Sequence, residues 1–341
     1  MMELLTKIDS FYVKYLFPFN NTIFLNRNDS GHYKGLYKYE NGKVIDLGMD
    51  LFYFGVEIEN LFFWQTENGK NLIIFNKQFE VVKEVAGEIY FAIEQTFKDK
   101  LRIIIQTGEK QNAFLIDSKF KLLPIGLMYV FELNHGFIGR GYGDRVNIMR
   151  YSLSHEIIWQ VNIAELCENL LTDTEDSEET PIHISSQIFG NEDTVFVPIS
   201  RHRLVALNAQ DGSLKWISPP EINIGYPVYF DGLLYNNTGE TLEEIDPKNG
   251  NVLRQITYKD FPILKDIKGV TGEHRVYNDF IILKDQMSGY VIMIDRLSLK
   301  PVELVSVGES VHADNHFFHW CNNELYVLTW SRLYVFGRKE S

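Results

Sequence analysis

The sequence predicts an all-β fold, an eight-bladed β-propeller of four-stranded blades, with seven blades as the alternative. Three observations predict it. A strand motif recurs eight times at about the length of one blade, the strands lack a wet face, and the two chain ends complete each other's last sheet.

The clearest copy of the motif is HRLVALNAQDGSLKWIS, His202 to Ser218. Leu204 to Asn208 reads as a strand, Asp211-Gly212 as a hairpin turn and Leu214 to Ile217 as the returning strand. Aligning the chain on the last apolar residue of strands like Leu204 to Asn208 gives Tyr39, Phe75, Ile116, Tyr151, Leu207, Ile245, Ile294 and Phe336. Each has an apolar residue three positions earlier and a polar or turn-compatible residue after it. The spacings are 36, 41, 35, 56, 38, 49 and 42 residues, so one blade is repeated along the whole chain and residues 1–341 read as a single propeller domain.

Within each repeat the strands can be placed in order. In the second, Leu51 to Val56 precedes a turn at Glu57 to Asn60, then come Leu61 to Thr66, a turn at Glu67 to Lys70, Asn71 to Phe75 and Val81 to Val85. In the fifth the order is Ser185 to Gly190, Thr194 to Ile199, Leu204 to Asn208 and Leu214 to Ile217. Runs such as LIIF from Leu72 and FIIL from Phe280 do not alternate with polar residues. A sheet with one solvated face alternates, whereas a blade packed between two neighbours does not need to.

The last repeat supplies three strands, His316 to Trp320, Leu325 to Trp330 and Leu333 to Phe336, and then the chain ends. Leu4 to Ile8 has no blade of its own. It is expected to become the fourth strand of the last blade and cover the open edge.

Two spacings are long because of insertions at about 162–182 and 258–274. In the first, Asn162 caps a short helix with Glu165 at the capping-box position and Ile163, Leu166 and Leu170 on one side. The run TDTEDSEET follows, carrying Asp173, Glu175, Asp176, Glu178 and Glu179. Both insertions join an outermost strand to the next innermost one, so both are expected on the same face, which is the candidate binding face. The five acidic residues are the candidate contacts for a basic protein partner.

The segment RLVALNAQDGSLKW resembles the repeat of the pyrroloquinoline-quinone-like, quinoprotein-type propellers. TLEEIDPKNGNVLRQI, from Thr241, shares the turn but has Arg254 at the Trp position, and SLSHEIIWQV, from Ser152, has Trp159 without the Gly. The resemblance implies structural roles: turn acceptors at Asn208 and Asp246, left-handed glycines at 212 and 250, and Trp216 wedged between blades. The family's dehydrogenases are secreted and use a quinone, calcium and adjacent cysteines, and its outer-membrane assembly lipoproteins carry a lipidated cysteine. This chain has only Cys167 and Cys321, in no paired spacing, so no cofactor is expected and both thiols should be free.

The net charge of −13 disfavours nucleic acid and anionic membrane as partners. Glu3, Lys7 and Asp9 interrupt the N-terminal stretch where a signal peptide needs an apolar run, so a cytoplasmic location is expected. The segment VHADNHFFHW could place His312, Asp314 and His316 on one face of a strand lining the central channel, as an enzyme or small-ligand receptor would use them. Three such residues on one strand seldom converge on one ion, and no metal site is expected. GRGYGDR, Gly139 to Arg145, and SRHRL, Ser200 to Leu204, read as hairpins. No nucleophile elbow or metalloprotease signature occurs, so catalysis has no support in the sequence. The expected function is non-catalytic protein binding, in its sharper form an immunity or inhibitor protein that covers a basic toxin or nuclease.

Overall fold

The structure, a computed structural model, describes residues 2–8, 13–19, 22–29, 32–40, 42–48, 51–59, 61–66, 71–78, 80–86, 88–97, 100–107, 110–125, 129–140, 144–168, 181–285, 287–311, 318–329 and 332–338. Their strands form eight antiparallel four-stranded sheets, an eight-bladed β-propeller, so the seven-bladed alternative is excluded.

Blade 1 comprises Val13–Phe19, Thr22–Asp29, His32–Glu40 and Lys43–Asp46; blade 2, Leu51–Ile58, Leu61–Thr66, Asn71–Phe75 and Val81–Ala86. Blade 3 comprises Glu88–Phe97, Lys100–Thr107, Lys110–Asp117 and Leu122–Ile125; blade 4, Tyr129–Leu133, Gly136–Arg140, Asn147–Tyr151 and Ile157–Asn162. Blade 5 comprises Phe189–Gly190, Thr194–Ile199, Arg203–Asn208 and Leu214–Ile217; blade 6, Tyr226–Phe230, Leu233–Asn237, Thr241–Ile245 and Val252–Thr257. Blade 7 comprises Val270–Val276, Phe280–Asp285, Tyr290–Asp295 and Lys300–Ser306; blade 8, Phe318–Cys321, Glu324–Leu328, Leu333–Arg338 and Met2–Ile8. Contacts gather the chain into two units, Met1–Pro124 with Phe261–Ser341, and Ile125–Asp260.

The N-terminal strand does close blade 8. Met2 pairs with Arg338 and Ile8 with Leu333 along an antiparallel ladder, which covers the edge the C-terminal strand would otherwise expose. Every residue of Thr194–Ile199 in blade 5 and of Phe280–Asp285 in blade 7 is buried. That double-sided burial is why these strands do not alternate.

Some boundaries differ from the sequence reading. Ile58 pairs with Leu61, so the first turn of blade 2 shrinks to two residues, with Glu59 at φ 47°. The inner strand of blade 5 is only Phe189–Gly190, with Ile184 bridging Ile199 upstream of it. The predicted turn at Glu67 to Lys70 and the start of the last blade at His316 lie outside the described residues.

The repeat anchors acquire a physical meaning from the strand registers. Opposite Phe75, Tyr151, Leu207, Ile245, Ile294 and Phe336 the outer strand carries a β-bulge, at Val82, Ile158, Lys215, Leu253, Val302 and Leu5 respectively. The five apolar bulge residues are between 42% and 51% exposed. A bulge twists an edge strand away from foreign pairing, so these side chains belong to edge protection.

In blades 4 and 5 the residue after the bulge is a tryptophan, and it reaches into the next blade. The indole Nε1 of Trp159 donates to the carbonyl of Ala209 at 3.2 Å, and that of Trp216 donates to the carbonyl of Pro247 at 3.0 Å. Beneath them lie Gly212 and Gly250, at φ 75° and 76°. A Cβ at Gly212 would stand 2.9 Å from the Trp159 ring, and one at Gly250 2.7 Å from the Trp216 ring. The two turns match: Asn208 Oδ1 accepts from Gln210 N and Asp246 Oδ1 from Lys248 N, both at 2.9 Å. Arg254, at the equivalent position of blade 6, instead pairs with Glu244 of its own blade. Arg150 reinforces the first clasp, its Nη1 donating to the carbonyls of Ala209 and Gln210 at 3.1 and 2.9 Å.

Candidate functional site

Two regions of the described structure depart from the repeat. The first lies in blades 4 to 6, where each insertion begins.

The first insertion starts as predicted. Asn162 Oδ1 accepts from the amides of Ala164 and Glu165 at 3.0 and 3.3 Å, and its Nδ2 donates to Glu165 Oε1 at 2.9 Å, which caps the helix Ile163–Glu168. Ile163 and Cys167 bury the apolar side of that helix beside Ile182, Ile184 and Val197. The Cys167 thiol is free, and burial pushes its pKa up to about 11. Cys321 is also free and half-buried.

Both ends of this insertion are fixed to one hairpin. The amide of Ile163 donates to Val146 O at 2.8 Å, and the amide of Ile184 donates to the adjacent Arg145 O at 2.6 Å. His183 N donates to Ser200 Oγ at 3.1 Å, holding the returning chain on blade 5. The acidic run Asp173, Glu175, Asp176, Glu178 and Glu179 lies outside the described residues, between these two anchors.

The second insertion leaves blade 6 in the equivalent way. The amide of Tyr258 donates to Glu240 O at 3.0 Å, in the hairpin joining the second and third strands, just as Val146 stands in that hairpin of blade 4. Each insertion thus begins at the same end of its own blade. The buried Tyr258 hydroxyl donates to Asn237 Oδ1 at 2.9 Å, and burial raises its pKa well above the ordinary phenol value. Beside it Asn236 Nδ2 donates to the buried Glu243 carboxylate at 2.8 Å. Burial raises the pKa of Glu243, more than the hydrogen bonds from Asn236 and Thr241 lower it.

Beyond Asp260, the same insertion is held to blade 7. Lys268 N donates to one oxygen of the buried Asp285 at 2.8 Å and Met287 N to the other at 3.1 Å.

The second region lies where the inner strands of blades 7 and 8 meet. Lys284 is fully buried and pairs with Glu273 at 2.7 Å, with its ammonium 5.9 Å from the centre of the Phe318 ring. Glu273 reaches it because the inner strand of blade 7 breaks register between Val270 and His274. The Arg275 guanidinium lies 5.7 Å from the same ring, and its Nη1 contacts His319 Nε2 at 2.7 Å. Arginine only donates, so His319 Nε2 must be the unprotonated nitrogen.

His312, Asp314 and His316 fall between Val311 and Phe318, outside the described residues. Among the described residues no group of three or more His, Cys, Asp or Glu side chains could hold a metal ion, and no helix is long and apolar enough to cross a membrane. Gly139–Arg140 and Asn147–Tyr151 pair as hairpin strands, as do Thr194–Ile199 and Arg203–Asn208 across Ser200 to His202. Arg275 and Lys284 are not among the site residues expected from the sequence. A lysine closing the apolar run FIIL was a readable signal, whereas the contact between Arg275 and His319 spans 44 residues and has no local signature.

No family model matches the chain, and no curated protein does. Solved structures share its fold. BamB from Moraxella catarrhalis is 10% identical with a TM-score of 0.56, the match covering 100% of this chain and 99% of BamB. Sqt1 from Saccharomyces cerevisiae is 12% identical with a TM-score of 0.59, covering 99% of each chain. The computationally designed protein Ika8 is 9% identical with a TM-score of 0.58, covering 98% of this chain and 100% of Ika8. At these identities the likeness is one of fold, and the likeness to the pyrroloquinoline-quinone-like repeat rests on the turns around Gly212 and Gly250.

Proposed function

We propose that this chain is a non-catalytic, protein-binding propeller that engages its partner at the end of the blades where the insertions begin. One observation carries the reading: the insertion between Ile163 and Ile184 leaves and returns at adjacent carbonyls of one hairpin, Val146 and Arg145. Such a segment is added to the repeat without disturbing the strands, and loops fixed on a rigid scaffold are where binding residues concentrate.

The acidic run supplies the chemistry of the contact. Asp173, Glu175, Asp176, Glu178 and Glu179 complement a basic surface, and in the sharper form of the proposal the partner is a cationic toxin or nuclease that this chain neutralises in the cytoplasm. Affinity capture from the native cell at low salt tests it, comparing the natural chain with one carrying serine at all five positions. The natural chain should retain a basic protein, and the serine variant should bind more weakly with a flattened salt dependence. Equal retention by both would reject this run as the contact.

A second reading, a small-ligand receptor using the inner strands, is favoured by the charged cluster around Arg275 and Lys284.

A further inference from the structure

We infer that Arg275 is a preformed carboxylate-binding group at the meeting of the inner strands of blades 7 and 8. This goes beyond the protein-binding reading and does not depend on it.

The guanidinium is fixed from two sides. The Phe318 ring lies 5.7 Å from its centre, and Nη1 donates to His319 Nε2 at 2.7 Å. The imidazole is itself held: its ring meets that of Tyr277 edge-on at 6.5 Å, and the Tyr277 hydroxyl accepts from Trp320 N at 3.3 Å. Arg275 is only half-buried, and its remaining N–H donors make no hydrogen bond to a described residue. No carboxylate lies within ion-pair distance of it among the described residues, although acidic residues outnumber basic ones 46 to 33 in the chain. The nearby Lys284 already has Glu273 as its counterion at 2.7 Å.

A held guanidinium with a free edge is built to take a planar, two-oxygen anion. Parallel N–H donors match a carboxylate bidentately, and holding the group in advance lowers the ordering cost of binding. The match is to a monoanion: Arg275 offers one charge, and the Glu273 carboxylate beside Lys284 repels a dianion such as phosphate. The ligand chemistry that fits is that of a small carboxylic acid or the free C-terminus of a peptide.

Calorimetry and thermal unfolding of the full chain test this with acetate, propionate and a short peptide with a free or amidated C-terminus. Inorganic phosphate and chloride at matched ionic strength serve as references. Carboxylates should bind and raise the unfolding midpoint where the references do not, and Arg275→Gln should weaken that binding about tenfold or more. Arg275→Lys, which keeps the charge without the fork, should fall between and stands in if the glutamine variant folds poorly. Binding of acetate or propionate assigns the group to a small acid, and binding of the free but not the amidated peptide assigns it to a chain end; either upholds the inference. No binding by the natural chain, or equal binding by Arg275→Gln, would overturn it.

Discussion

The Trp216 indole of blade 5 donates its Nε1–H to the carbonyl of Pro247 in blade 6 at 3.0 Å, and its ring occupies the space a side chain at Gly250 would need. The bulge at Lys215 aims the ring there, and Lys215 itself folds back to donate to Thr194 Oγ1 at 2.7 Å. This indole and this glycine, 34 residues apart, join blades 5 and 6 beside the shared core of Phe196, Leu204, Leu234 and Ile245.

Replacing that indole should therefore cost more than replacing its counterpart in blade 4. Trp216→Ala removes a buried aromatic and should destabilise by about 3–5 kcal/mol. Trp216→Phe leaves the Pro247 carbonyl without its indole donor and should cost about 1 kcal/mol more than Trp159→Phe, because Arg150 still serves Ala209. Gly250→Ala should also destabilise, since its Cβ would stand 2.7 Å from the ring. Urea denaturation midpoints of the variants check the order.

Removal of residues 1–8 should open the C-terminal edge of blade 8. The closing strand has no fully buried residue, so the ladder with Leu333–Arg338 holds it. The truncated chain should unfold at a lower temperature and associate through the uncovered edge, as size-exclusion chromatography would show. An unchanged midpoint and a monomeric profile would contradict the closure.

Two carboxylates should give opposite pH effects. Burial raises Glu243, so its contribution is fully present below the unfolded pKa and is lost as pH rises through the folded one. Glu243→Gln should therefore be neutral or stabilising at pH 7, with the difference from the natural chain changing as the carboxyl protonates. For Glu309, burial alone would raise the pKa, yet hydrogen bonds from Tyr334, Thr329 and Arg332 outweigh it and lower it. Its contribution is present above the unfolded pKa and is lost as pH falls through the folded one, so Glu309→Gln should destabilise at pH 7 and converge with the natural chain in acid. Thermal midpoints between pH 3 and 8 separate the two.

Cys167, with its pKa at about 11 and its side chain in the core of blades 4 and 5, should resist thiol reagents at pH 8 until the protein unfolds. Mass spectrometry after labelling reads this directly. Rapid modification of Cys167 in the folded chain would mean that the helix Ile163–Glu168 does not cover it.

The repeat was legible in the sequence because anchors such as Leu207 and Ile245 lie at the ends of strands buried on both faces, where apolar residues are required. The bulge opposite the anchor was not legible, since an extra residue in an outer strand changes register without changing composition. For that reason the sequence places Trp216 between blades without showing its partner: Gly212 packs under Trp159, and Gly250 under Trp216. The offset was available in the residues: Trp159 appears without a glycine in its own turn, and Gly250 with Arg254 in place of a tryptophan. Of the candidate site, the capped helix and the start of both insertions were legible from Asn162, Glu165 and the long spacings. The Arg275 and His319 pair was not, because only packing of blade 7 against blade 8 brings the two together.

Hydrogen–deuterium exchange of the chain with and without its captured partner tests whether the partner docks at the end of the blades where the insertions begin. New protection is expected at residues 144–146, 163–168, 181–185 and 200–202, where the first insertion is anchored. Protection confined to the opposite ends of the blades, at Ser152–Glu156, Asn208–Ser213 and Asp231–Gly232, would contradict it.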